Sequence, residues 1–184
     1  MKVIVFGGLA ESLINFRGVL IKDIIARGHE VITMANHTDD ATIHKIEQLG
    51  CRFIPISIER NGLSPLRDLK TLLQIWTVFR KERPDVVLAY TIKPVIWGGL
   101  AAKCFRHLNF SGLITGLGFA FQGSSFKRKL VSFLVKNLYK LSLFDSKNVI
   151  FQNEDNRQTF IDLGITPKDK THRVNGSGVD IAHF

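Results

Sequence analysis

The chain has 184 residues, with 25 Lys and Arg against 16 Asp and Glu, a formal net charge of +9. Apolar residues at 45% and charged residues at 22% exclude a disordered or collagen-like chain, and the length suits one domain with a full core rather than two. The two cysteines, Cys51 and Cys104, exclude a disulfide framework and a zinc site built on cysteine pairs, and they fit a reducing compartment.

The opening M-K-V-I-V-F-G-G runs from a strand at Lys2–Phe6 straight into two glycines. It is too short for the apolar segment of a secretory signal. The residues Leu13–Ala26 read as a helix, with Leu13, Phe16, Leu20, Ile24 and Ile25 near one face and a stop at Arg27-Gly28. A strand at Glu30–Met34 follows, then a helix at Asp39–Leu49 that stops at Gly50, then a strand at Arg52–Ile56. Ser64-Pro65 supplies an N-cap and an N1 proline for a helix over Leu66–Lys81. Val86–Tyr90 is a strand and Val95–Phe105 a helix.

The longest stretch without Asp, Glu, Lys or Arg, His107 to Phe126, has the length of a membrane span but holds four glycines. It reads as a strand at Gly112–Thr115 and a loop. A helix at Lys127–Phe144, a strand at Asn148–Phe151 and a helix at Asp155–Leu163 complete the pattern, with a last short strand and a glycine turn after Thr171. The strands are short, rich in Val and Ile and mostly not alternating, as expected where helices cover both faces of a parallel sheet. Strand and helix alternate throughout, which predicts a doubly wound, Rossmann-like α/β domain with right-handed crossovers.

Ligands of open α/β sheets bind at the carboxyl ends of the strands. The loop Gly7-Gly8-Leu9-Ala10-Glu11-Ser12 lies there, before the first helix. Two glycines admit a phosphate close to the backbone, and a helix N-terminus favours an anion. A tight turn that needs glycine for its φ angles is the alternative. The loop is neither G-x-G-x-x-G nor a P-loop. The second strand ends Met34-Ala35-Asn36, with no acid to hold a ribose, which disfavours a dinucleotide enzyme.

Several segments together resemble the N-terminal half of the retaining GT-B glycosyltransferases of the GT4 type. They are V-I-V-F-G-G, S-L-I-N-F-R-G, R-G-H-E-V-I, R-P-D-V-V-L-A-Y-T-I-K-P (83–94), I-T-G-L-G-F-A-F (114–121), V-I-F-Q-N-E-D-N (149–156) and V-N-G-S-G-V-D (174–180). The nearest subgroup adds sugars to polyprenyl-diphosphate-linked intermediates of surface polysaccharides or N-glycans. The resemblance implies an acceptor-binding domain over residues 1–174 and the start of an interdomain hinge over 175–184. The nucleotide-sugar domain would lie beyond the chain, so the chain alone is expected to be inactive. It also implies a nucleotide sugar as donor, no cofactor or metal, and a lipid-linked diphosphate acceptor.

On that resemblance Gly7 and Gly8 face the donor diphosphate. Lys93, in Tyr90-Thr91-Ile92-Lys93-Pro94, is a cation at the sheet mouth that could meet the acceptor diphosphate. Tyr90, Thr91, Thr115, Gly116, Gly118, Asn153 and Glu154 are the other acceptor-binding candidates. Many GT4 enzymes carry a histidine near Thr115; this chain does not. Asn153-Glu154 also suits an N-cap and a first-turn acid. No Asp or Glu stands out as a catalytic base.

Lys127 to Lys147 carries six Lys and Arg against Asp145, so five of the nine net charges fall in 21 residues. Lys129, Lys136 and Lys140 cluster within about 40° on a helix, with Phe133 and Phe144 beside them and Leu130, Leu134, Leu138 and Leu141 opposite. Such a helix suits an anionic lipid surface, to which each Lys contributes about 1 kcal/mol. Phe119, Phe121 and Phe126 precede it and could dip into the interface. The expected location is cytoplasmic, peripheral on the inner face of the cell membrane. An ordinary surface helix with a leucine core face is the alternative. Two other classes stay open: a basic nucleic-acid binder, against which no helix-turn-helix or aromatic RNA platform appears, and a nucleotide-binding module of the epimerase or dehydrogenase kind.

Overall fold

The computed structural model describes residues 1–59, 64–117 and 126–178, with backbone alone for 126–128. Gly118, Phe119, Phe121 and the side chain of Phe126 therefore lie outside the described residues, as does the chain from 179 onward.

Seven parallel strands form one sheet in the order β3-β2-β1-β4-β5-β6-β7. They are β1 (Lys2–Phe6), β2 (Glu30–Ala35), β3 (Arg52–Pro55), β4 (Val86–Tyr90), β5 (Asn109–Ile114), β6 (Asn148–Phe151) and β7 (Thr171–Arg173). The helices between them are α1 (Glu11–Ala26), α2 (Asp40–Glu47), α3 (Pro65–Glu82), α4 (Ile92–Ala102), α5 (Phe126–Leu143) and α6 (Glu154–Asp162). Every strand and helix expected from the sequence is present.

The strands are apolar on both faces because both are covered. Val3, Val5, Val31, Tyr90 and Leu113 pack with Leu13 and Ile21 of α1 and Ile46 of α2. The alternate residues Ile4, Phe6, Ile32, Val87, Phe110 and Phe151 pack with Phe79 of α3, Val95 of α4, Tyr139 of α5 and Phe160 of α6. So α1 and α2 lie on one face, and α3 to α6 on the other. The strand order reverses between β1 and β4, which places the crevice for a ligand at the carboxyl ends of those two strands.

Several boundaries shift by one to three residues from the sequence reading, and two of the shifts bear on the sheet mouth. Helix α4 begins at Ile92 rather than Val95, because Thr91 accepts the amide of Val95 (3.1 Å) and Pro94 suits a first turn, where no backbone donor is needed. Strand β5 begins at Asn109, where it pairs with Val86, rather than at Gly112.

Two helix faces also differ. In α1 the buried residues are Leu13, Arg17, Gly18 and Ile21, while Phe16 is 53% exposed and Leu20 38%. In α5 the core residues are Val135, Tyr139 and Leu143, flanked by half-buried Val131 and Leu138. Leu130, Leu134 and Leu141, which the ordinary-surface-helix alternative put in the core, are exposed with Phe133 and Phe144. The helix is rotated so that Val135, Tyr139 and Leu143 meet the sheet while Leu130, Leu134 and Leu141 meet solvent.

Candidate functional site at the sheet mouth

The loop after β1 is shaped by its neighbours. Gly7 donates its amide to the Met34 carbonyl (2.9 Å), and Asn36 Oδ1 accepts the amide of Ala10 (3.0 Å). A β-carbon on residue 7 would fall 2.3 Å from the Tyr90 hydroxyl, and one on residue 8 would fall 3.1 Å from Thr91 Oγ1. Neither glycine has a positive φ. Glycine is needed here for space, because β4 and its exit press against the loop, and not for an unusual backbone angle.

Past those glycines the helix start is open. Among the described residues, the amides of Gly8, Leu9 and Glu11 donate to no protein acceptor, which leaves an anion-binding arrangement at the N-terminus of α1. The Glu11 carboxylate in the first turn works against an anion.

Tyr90 is 2% exposed. Its hydroxyl lies 2.8 Å from Ser12 Oγ, and burial pushes its pKa up to about 12, so it is a neutral phenol at ordinary pH. It supports the loop from beneath. Thr91 has φ 68° and ψ 164°, a region that non-glycine residues rarely adopt. Such strain costs about 1–3 kcal/mol and clusters at functional sites. Here it sits between the glycine loop and the start of α4.

Lys93 does not stand free at the mouth. Its Nζ is 2.8 Å from Asp68 Oδ1 in the first turns of α3, with side-chain exposures of 12% and 8%. Asp68 Oδ2 also accepts the amide of Ser64 (3.3 Å). Lys93 thereby joins α3 to the start of α4.

Thr115 and Gly116 follow β5 and are half-buried, and a β-carbon at 116 would meet nothing within 4 Å. Asn153 caps α6, its Oδ1 accepting the amide of Asn156 (2.8 Å), and Glu154 accepts a bond from Arg157 (2.7 Å). Both side chains are exposed at the mouth and both serve α6. The sheet mouth thus brings Gly7, Gly8, Tyr90 and Thr91 together, with Lys93 behind them in the first turn of α4, paired to Asp68 of α3.

Sequence reasoning missed Ser12, Asn36, Asp68 and Arg17. Arg17 is 4% exposed, and its guanidinium carbon lies 4.6 Å from the Tyr90 ring centroid. Desolvation lowers its pKa. Its place in S-L-I-N-F-R-G, one turn after Leu13, was the available signal, because position 17 shares the buried stripe of α1.

The basic helix presents Lys129 and Lys140 at its surface, with Lys136 half-buried between them. Beside this row stand Phe133 at 68% and Phe144 at 69% exposure, then Leu130, Leu134 and Leu141. On the same side of the sheet, α3 exposes Leu66, Leu69 and Leu73. No helix among the described residues is long and apolar enough to cross a membrane.

Residues 6–153 match the family model described as "Glycosyl transferase 4-like". The chain is 29% identical over 173 residues to N,N'-diacetylbacillosaminyl-diphospho-undecaprenol alpha-1,3-N-acetylgalactosaminyltransferase of Campylobacter jejuni, covering 94% of this chain and 45% of that protein. It is 31% identical over 142 residues to UDP-Gal:alpha-D-GlcNAc-diphosphoundecaprenol alpha-1,3-galactosyltransferase of Escherichia coli, covering 72% of this chain and 32% of that protein. The chain therefore spans less than half the length of these curated relatives. In fold it is similar to the UDP-GlcNAc 2-epimerase of Neisseria meningitidis, at TM-score 0.65 and 15% identity over 96% of this chain and 47% of that one. Epimerases and glycosyltransferases share this architecture, so the sequence match, and not the fold, separates the two. The chain belongs to the glycosyl transferase 4-like family.

Proposed function

We propose that this chain is the acceptor-binding half of a glycosyltransferase that moves a sugar from a nucleotide sugar to a polyprenyl-diphosphate-linked glycan with retention. The observation that carries the proposal is the sequence match to two transferases whose names both specify an undecaprenol diphosphate. The open amides at the α1 N-terminus support a diphosphate beside Gly7 and Gly8.

Residues 1–174 form the acceptor domain in this proposal, and 175–184 lead toward a nucleotide-sugar domain. Transfer needs both, because a leaving diphosphate requires cations around its developing charge. Of the predicted acceptor contacts, Lys93 acts through its pair with Asp68 by setting the angle of α4. Thr91, Thr115 and Gly116 line the open end of the sheet. No cofactor is required beyond the donor, and nucleic acid is not the partner.

The lipid acceptor places the domain at a membrane, peripherally on its inner face. The exposed Leu130, Phe133, Leu134, Leu141 and Phe144 supply an apolar footing, and the neighbouring lysines match an anionic surface.

The test is co-sedimentation of the chain with anionic vesicles carrying a polyprenyl diphosphate sugar, a polyprenyl monophosphate, or neither. Retention is expected to be highest with the diphosphate and to fall with salt. Equal retention on all three vesicles refutes acceptor recognition, and tighter binding to DNA than to any vesicle favours the nucleic-acid alternative.

A further inference from the structure

The buried Arg17 has no place in the proposed reaction. Its Nη1 donates to the Phe16 carbonyl (2.9 Å) and to Ser177 Oγ (2.7 Å). Its Nε is buried without an acceptor among the described residues. No carboxylate among the described residues pairs with it. Taking a guanidinium out of water costs several kcal/mol, and arginines are almost never fully buried unless paired. An apolar side chain of similar length would cover the Tyr90 ring without that cost. Stability therefore does not explain an arginine at this position.

What an apolar residue could not do is hold Ser177. The chain leaves β7 at Arg173, and Val174 donates its amide to the Phe151 carbonyl (2.9 Å). It then turns through Gly176 (φ 79°) and Gly178 (φ 70°), which present Ser177 between them. The Ser177 hydroxyl also accepts a bond from Gln152 Nε2 (2.7 Å), just past β6. Arg17 itself stacks on the last residue of β4.

From β7 to β4 is three strand spacings, about 14 Å. Four residues from Arg173 to Ser177 reach about 14 Å only when fully extended. The two glycine turns shorten that reach, and the long side chain of Arg17 closes the gap. The segment 174–178 is thus a strap drawn back from the edge of the sheet toward its middle. Tyr90, on which Arg17 rests, also carries Ser12 and lies against Gly7. Strap and glycine loop share one support.

We propose that Arg17 is a latch that holds the strap 174–178 to the sheet mouth through Ser177, and so fixes the direction in which the chain leaves the domain. Arg17 is a positioning residue in this role. The latch stands on the geometry alone. That it aims a second, nucleotide-sugar domain at the glycine loop rests on the proposed function.

The experiment is backbone 15N relaxation on the whole chain, with thermal unfolding beside it, for the wild type, Arg17→Met and Ser177→Ala. Order parameters of Gly176, Ser177 and Gly178 are expected near about 0.85 in the wild type and below about 0.6 in both variants. The melting temperature is expected to stay level or rise in Arg17→Met, since a buried charge is replaced by an apolar chain. A strap that stays ordered in either folded variant overturns the latch, and so does a strap already mobile in the wild type. Loss of order only in step with a lower melting temperature also overturns it, because it marks Arg17 as ordinary packing. If Arg17→Met does not fold, Ser177→Ala decides alone, since Ser177 is exposed and outside the core. Failure of vesicle or diphosphate recognition would leave these results untouched.

Discussion

The Tyr90 hydroxyl occupies the place where a β-carbon on residue 7 would fall, 2.3 Å away, and the ring carbon bearing it lies at 2.4 Å. Gly7→Ala is therefore expected to destabilise the chain by about 2–3 kcal/mol in urea unfolding, as overpacking in a rigid core does. Tyr90→Phe should not relieve it, because the ring carbon still clashes. Tyr90→Leu should recover part of the loss, and a double-mutant cycle measures that coupling.

Lys93 and Asp68 form a pair that is nine-tenths buried. Removing one partner strands the other charge, so Lys93→Met is expected to cost about 3 kcal/mol. The double variant Lys93→Met with Asp68→Leu should regain most of it. A Lys93 that instead waits for an acceptor phosphate would give a small stability loss in the single variant and a large loss of diphosphate-lipid binding. Urea unfolding and vesicle sedimentation on the same proteins separate the two.

The chain has two tyrosines, Tyr90 and Tyr139, and burial raises the pKa of both. The folded phenol keeps its proton above about pH 10, where the unfolded chain loses it. Unfolded chains then bind fewer protons than folded ones, so stability is full below about pH 10 and falls as pH rises toward the folded value of about 12. For Tyr90 the loss amounts to about 3 kcal/mol across that window. Native protein should show almost no tyrosinate absorbance at pH 10.5, roughly half a unit above the free phenol value. Protein in guanidinium chloride at the same pH should show most of it.

Phe133 and Phe144 are more than two-thirds exposed on α5. Phe133→Ser with Phe144→Ser is expected to weaken binding to anionic vesicles by about tenfold or more, since each aromatic buries roughly 2 kcal/mol of apolar surface. Thermal stability should stay within about 0.5 kcal/mol of the wild type, because neither side chain packs in the core. Lys129→Gln with Lys140→Gln should weaken binding at low salt and make it less salt-dependent.

The strand runs Lys2–Phe6, Val86–Tyr90 and Asn148–Phe151 were legible because burial on two faces demands continuous apolar residues whatever their partners. Pro65 and Asn153 marked their helix starts because first-turn proline and side-chain capping are local chemistry, although Ser64, expected as a cap, makes no side-chain capping bond. The importance of Gly7 was legible too, though its steric cause was not: the sequence offered close approach of a phosphate or a turn angle, and the structure shows a contact with a residue 83 positions away.

The amino-acid sequence by itself determined the doubly wound parallel sheet, the place of the glycine loop at its mouth and the membership of a transferase family. All of these follow from periodicity, local capping and motif order along the chain. Only the tertiary structure decided that Lys93 is bound to Asp68, that Leu130, Leu134 and Leu141 of α5 face outward, and that Arg17 reaches Ser177. Those facts depend on how far each helix is rotated against its neighbours. That rotation is set by the summed packing of many distant side chains, and no window of sequence contains it.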